Sequence, residues 1–170
     1  MKMTSMLYVL LSALLTASVA ACNSNNAVTD NGDATIKVDK KKKKNTTLVN
    51  FVDSDKLRPL LDRAEREGKL VFVDFYTDWC TPCKIMDENV FRDREFSKYL
   101  NQNFISYKVD AEKGNGTQLA SIFGVQVYPT LLFVDKDGVV VERINGSATQ
   151  SQLRTAGNRA LASRGLSEND

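Results

Sequence analysis

Two cysteines, Cys80 and Cys83, lie two residues apart in the stretch Asp74-Phe75-Tyr76-Thr77-Asp78-Trp79-Cys80-Thr81-Pro82-Cys83-Lys84. An apolar run leads into them and a helix is expected to begin at them. A Cys-x-x-Cys pair leaving a strand and opening a helix points both sulfurs at the helix N-terminus. There the macrodipole and the unbonded backbone N–H groups favour an anion. A thiolate is such an anion, and only the thiolate attacks disulfides, so this placement lowers the pKa of Cys80 and makes it the expected nucleophile. Cys83, one turn later, is the expected resolving thiol. The chemistry is dithiol–disulfide exchange.

Other chemistries lose ground on composition. The chain has 170 residues, which suits one globular domain with a tail. Its 23 Lys and Arg against 21 Asp and Glu give a net charge of +2 and no electrostatic signature of nucleic-acid binding. It contains no histidine. That removes the commonest general base, the usual partner of a hydrolytic cysteine and the commonest transition-metal ligand. Zinc held by Cys80 and Cys83 is disfavoured because a structural site needs about four ligands and no second pair is present. A purely structural Cys80–Cys83 staple would close too short a loop to restrain the unfolded chain much.

Three cysteines in one chain call for an account of the third. Lys2 opens the sequence, Leu7 to Leu15 is an apolar run of signal-peptide length, and the segment closes on Val19-Ala20-Ala21-Cys22. Small residues ahead of a cysteine resemble the lipobox of bacterial lipoproteins. Residues 1–21 are accordingly expected to be a lipoprotein signal and Cys22 to carry the lipid; an ordinary secretory signal or an uncleaved anchor is the alternative. Residues 22–45 are polar and end near the run Lys40 to Lys44. Such a segment cannot bury enough surface to offset its ordering entropy, so a disordered tether is expected. Its coil span is about 25–30 Å, from ~5–6 Å times the square root of its length. The lysines could lie on anionic headgroups or simply extend a solvated spacer. Asn23 is compatible with sorting to the outer membrane.

The domain itself is expected over residues 46–165, with 166–170 a disordered tail. Thr47 to Val52 reads as a short first strand. A helix capped by Ser54 runs from Asp55 through Arg66, with Pro59 suggesting that its regular part starts near that residue and Gly68 stopping it. Leu70 to Tyr76 is a near-continuous apolar run, as in a central strand covered on both faces. A helix follows from Cys80 to Val90, then another from Arg94 to Leu100, then a strand over Phe104 to Asp110. A helix near Thr117 to Phe123 ends at Gly124. Strands Thr130 to Asp135 and Val139 to Ile144 flank Lys136-Asp137-Gly138 as a hairpin. The last helix spans Gln150 to Ala162, with Gly157 inside it at a propensity cost. This order gives an α/β fold: a central mixed sheet, parallel early strands, an antiparallel edge and helices on both faces.

At this point the chain resembles the thioredoxin superfamily from about Leu48 to Leu161. Three separated features carry the resemblance. Trp79-Cys80-Thr81-Pro82-Cys83-Lys84 is similar to the family's redox motif, with Thr in place of the usual Gly. Asp74, six residues before Cys80, matches the buried strand carboxylate. Val127-Tyr128-Pro129-Thr130 matches the cis-proline loop that faces the dithiol. The lead-in Tyr76 to Cys80, the stretch Asp87 to Phe91 and the strand end Val109-Asp110-Ala111 look most like thioredoxin-like domains of exported bacterial proteins, including the C-terminal domain of DsbD-type electron transporters.

The resemblance implies a thioredoxin-like fold and specific roles. Cys80 attacks a substrate disulfide and Cys83 resolves the mixed disulfide. Asp74, its pKa raised by burial, could accept the proton Cys83 loses, or could be purely structural. Trp79, Thr81, Pro82, Tyr128 and Pro129 would meet the substrate, with Trp79 and Tyr128 as an apolar rim or else as core. A cis Tyr128–Pro129 bond would free backbone groups to pair with an extended segment. The family's lysine beside the carboxylate aligns here with Ser106, which would leave the Asp74 pKa set mainly by burial. No charge lies between the cysteines, so the couple is expected to be reducing.

The leading expectation is therefore a monomeric thiol:disulfide oxidoreductase of the periplasm, lipid-anchored through Cys22 with the outer membrane favoured over the inner. It would take electrons from a DsbD-type membrane donor and reduce disulfides of oxidised envelope proteins. The redox-active disulfide serves as its own centre, without a cofactor or metal, and no nucleic acid is bound. A disulfide oxidase or isomerase, or a thioredoxin-fold binding or chaperone module without turnover, are the competing functions.

Overall fold

A computed structural model describes residues 47–167, with side chains placed as far as Arg164. The expected signal segment, the Cys22 lipidation site and the tether lie outside the described residues; of the expected disordered tail, residues 166 and 167 instead continue the last helix and the remainder lies outside the described residues.

The most apolar segment of the chain becomes the middle of the sheet. Strand β2 (Leu70–Tyr76) is buried at every position but the last, because it is flanked by strands on both sides and by helices on both faces. Strands β1 (Phe51–Val52), β3 (Phe104–Asp110), β4 (Thr130–Val134) and β5 (Val140–Asn145) complete a five-stranded sheet in the order β1-β3-β2-β4-β5. β1, β3 and β2 run parallel; β4 is antiparallel to β2 and β5 to β4. The expected α/β architecture with an antiparallel edge is borne out.

Alternation along the strands splits the core in two. Leu70, Phe72, Phe104, Leu131 and Phe133 face α2 (Thr81–Asn89), α3 (Arg94–Asn103) and α5 (Gln150–Ser167). Val71, Val73, Phe75, Ile105, Tyr107 and Leu132 face α1 (Arg58–Glu67) and α4 (Gly116–Ile122). Asp74 falls in the first set. A carboxylate is thereby aimed at the underside of α2 by strand periodicity alone.

Several boundaries differ from the sequence reading. β1 is two residues long because the chain before it bonds elsewhere: the Leu48 N–H donates to the Phe91 carbonyl and the Asn50 N–H to Asn101 Oδ1, both at 2.8 Å. Helix α1 is not capped by Ser54. Its N-cap is Leu57, without a side-chain bond, and Ser54 Oγ turns to the backbone of Lys56 instead. Pro59 sits in the first turn, where its missing N–H costs nothing. Helix α5 extends five residues beyond Ala162, to Ser167. Its Gly157 is there for space: a Cβ would lie 2.6 Å from Tyr99 Oη and 3.2 Å from the Phe104 ring. In the β4–β5 turn, Asp135 Oδ1 accepts from the N–H groups of Asp137 and Val139, and Gly138 takes a φ of 85°.

Candidate active site

β2 delivers the dithiol. After Tyr76 the chain turns once, with the Cys80 N–H donating to the Thr77 carbonyl at 3.2 Å, and Cys80 becomes the N-cap of α2 in an extended conformation. Its Sγ accepts the Cys83 N–H at 3.1 Å, in the way a capping oxygen would. Cys80 and Cys83 are joined in a disulfide, and both are buried, at 2% and 3% exposure. Once the disulfide is opened, charge on Cys80 would rest on that N–H and on the positive end of α2. Thr81 and Pro82, between the cysteines, are exposed.

The opposite wall follows from the antiparallel pairing of β2 with β4. Phe75 stands opposite Thr130, so the residue before β4 must lie beside the chain that leads into Cys80. That residue is the buried Pro129, and the Tyr128–Pro129 peptide is cis, as expected. Thr130 Oγ1 donates to the Val127 carbonyl at 2.8 Å, closing the loop on itself. Trp79 is not core: it is 63% exposed, with its ring edge-on to Tyr128 at 5.8 Å between centroids. Its indole N–H donates to Glu112 Oε1 at 2.9 Å.

Beneath the dithiol lies a buried ion cluster. Asp74 is 1% exposed and its Oδ2 accepts from Lys108 Nζ at 2.6 Å; Lys108 also donates to Asp87 Oδ1 of α2 at 2.6 Å. The expectation that Ser106 occupies the lysine's place is corrected here. In the β2–β3 register Ser106 stands opposite Phe72, and Lys108 stands opposite Asp74. The lysine is present, two residues further along the same face. Its ammonium also lies over the rings of Phe51, Tyr76 and Phe91, at 5.2, 4.9 and 5.5 Å from their centroids.

Burial nevertheless raises the Asp74 pKa above its ordinary value, and the charge and hydrogen bond of Lys108 offset only part of that. Burial acts to lower the Lys108 pKa, but the two carboxylates outweigh it and the net shift is upward. Asp74 Oδ1 is buried without a hydrogen-bond partner, as are Thr77 Oγ1 and Ser106 Oγ. An acid whose second oxygen meets no donor is suited to hold a proton there.

Sequence reasoning missed Lys108, Asp87 and Glu112. Asp87 is four residues after Cys83, one helical turn on the same face, and that spacing was a usable signal. Lys108 was visible as the one cation in an otherwise apolar or neutral strand before Asp110. Glu112 had no local signal. Among the described residues no three His, Cys, Asp or Glu side chains converge as a metal site.

A sequence profile of the thioredoxin-like domain matches residues 57–161, from α1 to α5. The chain belongs to the thioredoxin-like family. Within it, the chain is 29% identical over 126 residues to the thiol-disulfide oxidoreductase ResA of Bacillus anthracis, covering 61% of this chain and 70% of that one. A solution structure of a candidate disulphide-isomerase from Bacteroides thetaiotaomicron is 39% identical, with a TM-score of 0.59 over 66% of this chain and 93% of that chain. The oxidised C-terminal domain of DsbD from Neisseria meningitidis is 26% identical, with a TM-score of 0.50 over 62% and 97% of the two chains. These thioredoxin-like relatives agree with a dithiol centre at Cys80 and Cys83.

Proposed function

We propose that this thioredoxin-like chain is a thiol:disulfide oxidoreductase that donates electrons to disulfides of cell-envelope proteins. The observation that carries the reading is the Cys80–Cys83 disulfide at the N-terminus of α2, with buried Asp74 on the strand leading into it. In the reduced protein, Cys80 as thiolate attacks a substrate disulfide. One substrate sulfur leaves and a mixed disulfide forms. Cys83 loses its proton, with Asp74 as the acceptor, and attacks Cys80; the Cys80–Cys83 bond re-forms and the substrate departs as a dithiol. Trp79, Thr81, Pro82, Tyr128 and Pro129 supply the surface on which an extended substrate segment lies.

Direction is read from the residues between the cysteines. Thr81 and Pro82 bring no cation to stabilise the thiolate, so the reduced form is not specially favoured and the couple is reducing. Lipid on Cys22 would hold the domain at a bacterial membrane, in the periplasm with the outer membrane favoured, and a membrane thiol donor would recharge it. The isomerase name of the 39% identical Bacteroides structure supports a second reading, in which the same dithiol reshuffles disulfides. Equilibration of the purified domain against glutathione and dithiothreitol buffers separates the readings. A potential near that of thioredoxin, about −270 mV, is expected; one near −120 mV would sink the reductase direction.

A further inference from the structure

Glu112 belongs to none of the motifs that define the dithiol, yet it reaches the rim of the site from another loop. The connection between β3 and α4 opens with a tight turn. Asp110 Oδ1 accepts the Glu112 N–H at 3.1 Å, and Asp110 Oδ2 pairs with Lys113 at 2.8 Å. The Ala111 N–H donates to the Tyr76 carbonyl at 2.8 Å, tying the turn to the end of β2. Gly116 packs so closely on the Asp110 carbonyl that any Cβ would overlap it. The turn is thus fixed by its own contacts, and it presents Glu112 to Trp79 and Lys113 to Asp78.

Trp79 needs such a partner. With 63% of its surface in water it has little packing to hold it, and its edge-on contact with Tyr128 fixes only one side of the ring. The bond from Nε1 to Glu112 Oε1 fixes the other. An indole held at two points offers a preformed apolar wall beside Cys80, so a substrate does not have to order it on binding. We propose that Glu112 is a positioning residue: it holds Trp79 in the docking orientation and thereby sets substrate affinity, without touching the reacting sulfurs. The proposal rests on the oxidoreductase reading and adds a residue to it.

The two straps can be separated. Lys113 bonds Asp78 and Asp110 independently of Glu112, so Glu112→Ala removes the indole's partner and leaves the turn attached. Glu112→Gln keeps a carbonyl oxygen able to accept from the indole. Trp79 is the sole tryptophan of the chain, so its fluorescence anisotropy reports this ring alone. The experiment uses the purified protein turned over with dithiothreitol on a disulfide-linked peptide that has a leucine beside its cysteine.

For Glu112→Ala, KM is expected to rise about threefold to tenfold, the worth of one hydrogen bond, with kcat within about twofold. Trp79 anisotropy is expected to fall in the same variant, and Glu112→Gln is expected to restore both readouts. Unchanged KM and anisotropy in Glu112→Ala would overturn the proposal. So would a Gln variant as impaired as the Ala variant, since a merely electrostatic role would give that result. Absence of turnover in the wild type would count against the oxidoreductase reading instead, and the anisotropy comparison would still decide whether Glu112 holds the ring.

Discussion

Asp74 on β2 and Lys108 on β3 stand directly opposite each other in a parallel strand pair, and their side chains meet at 2.6 Å beneath the helix that carries the dithiol. The pair is not closed on itself. Lys108 is shared with Asp87, and one Asp74 oxygen is left without a partner, so the buried acid is held in place while its charge is only partly met.

Replacing Asp74 by Asn therefore stabilises the fold at neutral pH. The folded-state pKa of Asp74 is raised by burial, so its contribution is fully favourable below the ordinary carboxylate value and is lost as pH rises through the raised one. Asn mimics the protonated acid at every pH. Denaturant melts of wild type and Asp74→Asn are expected to coincide near pH 4 and to diverge above it, with the variant the more stable of the two at pH 7. In the same variant, resolution of the mixed disulfide is expected to slow more than its formation; equal slowing of both steps in stopped-flow traces would remove Asp74 as the proton acceptor.

Lys108→Met should act in the opposite sense. Methionine keeps the apolar stem among Phe51, Tyr76 and Phe91 but leaves Asp74 and Asp87 facing each other without the ammonium. A loss of about 3 kcal/mol at pH 7 is expected, the low end for breaking a buried pair, because Asp87 keeps some contact with water. The Asp74 pKa rises further, so the deficit should shrink on acidification, as urea melts at pH 5 and pH 7 would show.

Gly157→Ala ought to stabilise a helix by about 1 kcal/mol on propensity alone. Here the new methyl would meet Tyr99 Oη and the buried Phe104 ring, and overpacking of this kind costs about 1–3 kcal/mol. Net destabilisation is expected in thermal melts. Tyr99→Phe in the same chain should recover part of it by removing the hydroxyl, at the expense of that group's bond to Asn158.

Cys22→Ser tests the anchor. Fractionation of cells expressing the full chain should move the variant from the membrane to the soluble fraction; an unlipidated variant that stays on the membrane would overturn the role proposed for Cys22.

The parts of the site that were legible in the sequence are those whose chemistry is local. Cys80 and Cys83 announce themselves by spacing, whereas Asp74 and Pro129 are reached through the resemblance to the thioredoxin superfamily, which matches an acid six residues before Cys80 and a proline just ahead of a later strand. Lys108 was missed for a geometric reason. Side chains repeat every two residues along a strand, so aligning the family's lysine two residues early put Ser106 in its place and still kept the correct face. Nothing local distinguishes the two positions until the strands are paired. Glu112 and Trp79 are 33 residues apart and meet only through two loops. The first strand was read too long because its residues have strand-like types, whereas the N–H groups of Leu48 and Asn50 are used by Phe91 and Asn101.

The two-residue β1 has a further consequence, for solubility. A sheet edge with a long row of unsatisfied backbone groups invites another sheet to zip onto it. β1 is too short to template such growth. At the far side, the register shift between Phe133 and Val134 and the charged Glu142 and Arg143 on β5 spoil the flat surface that growth requires. Both margins of the sheet are blunted against aggregation.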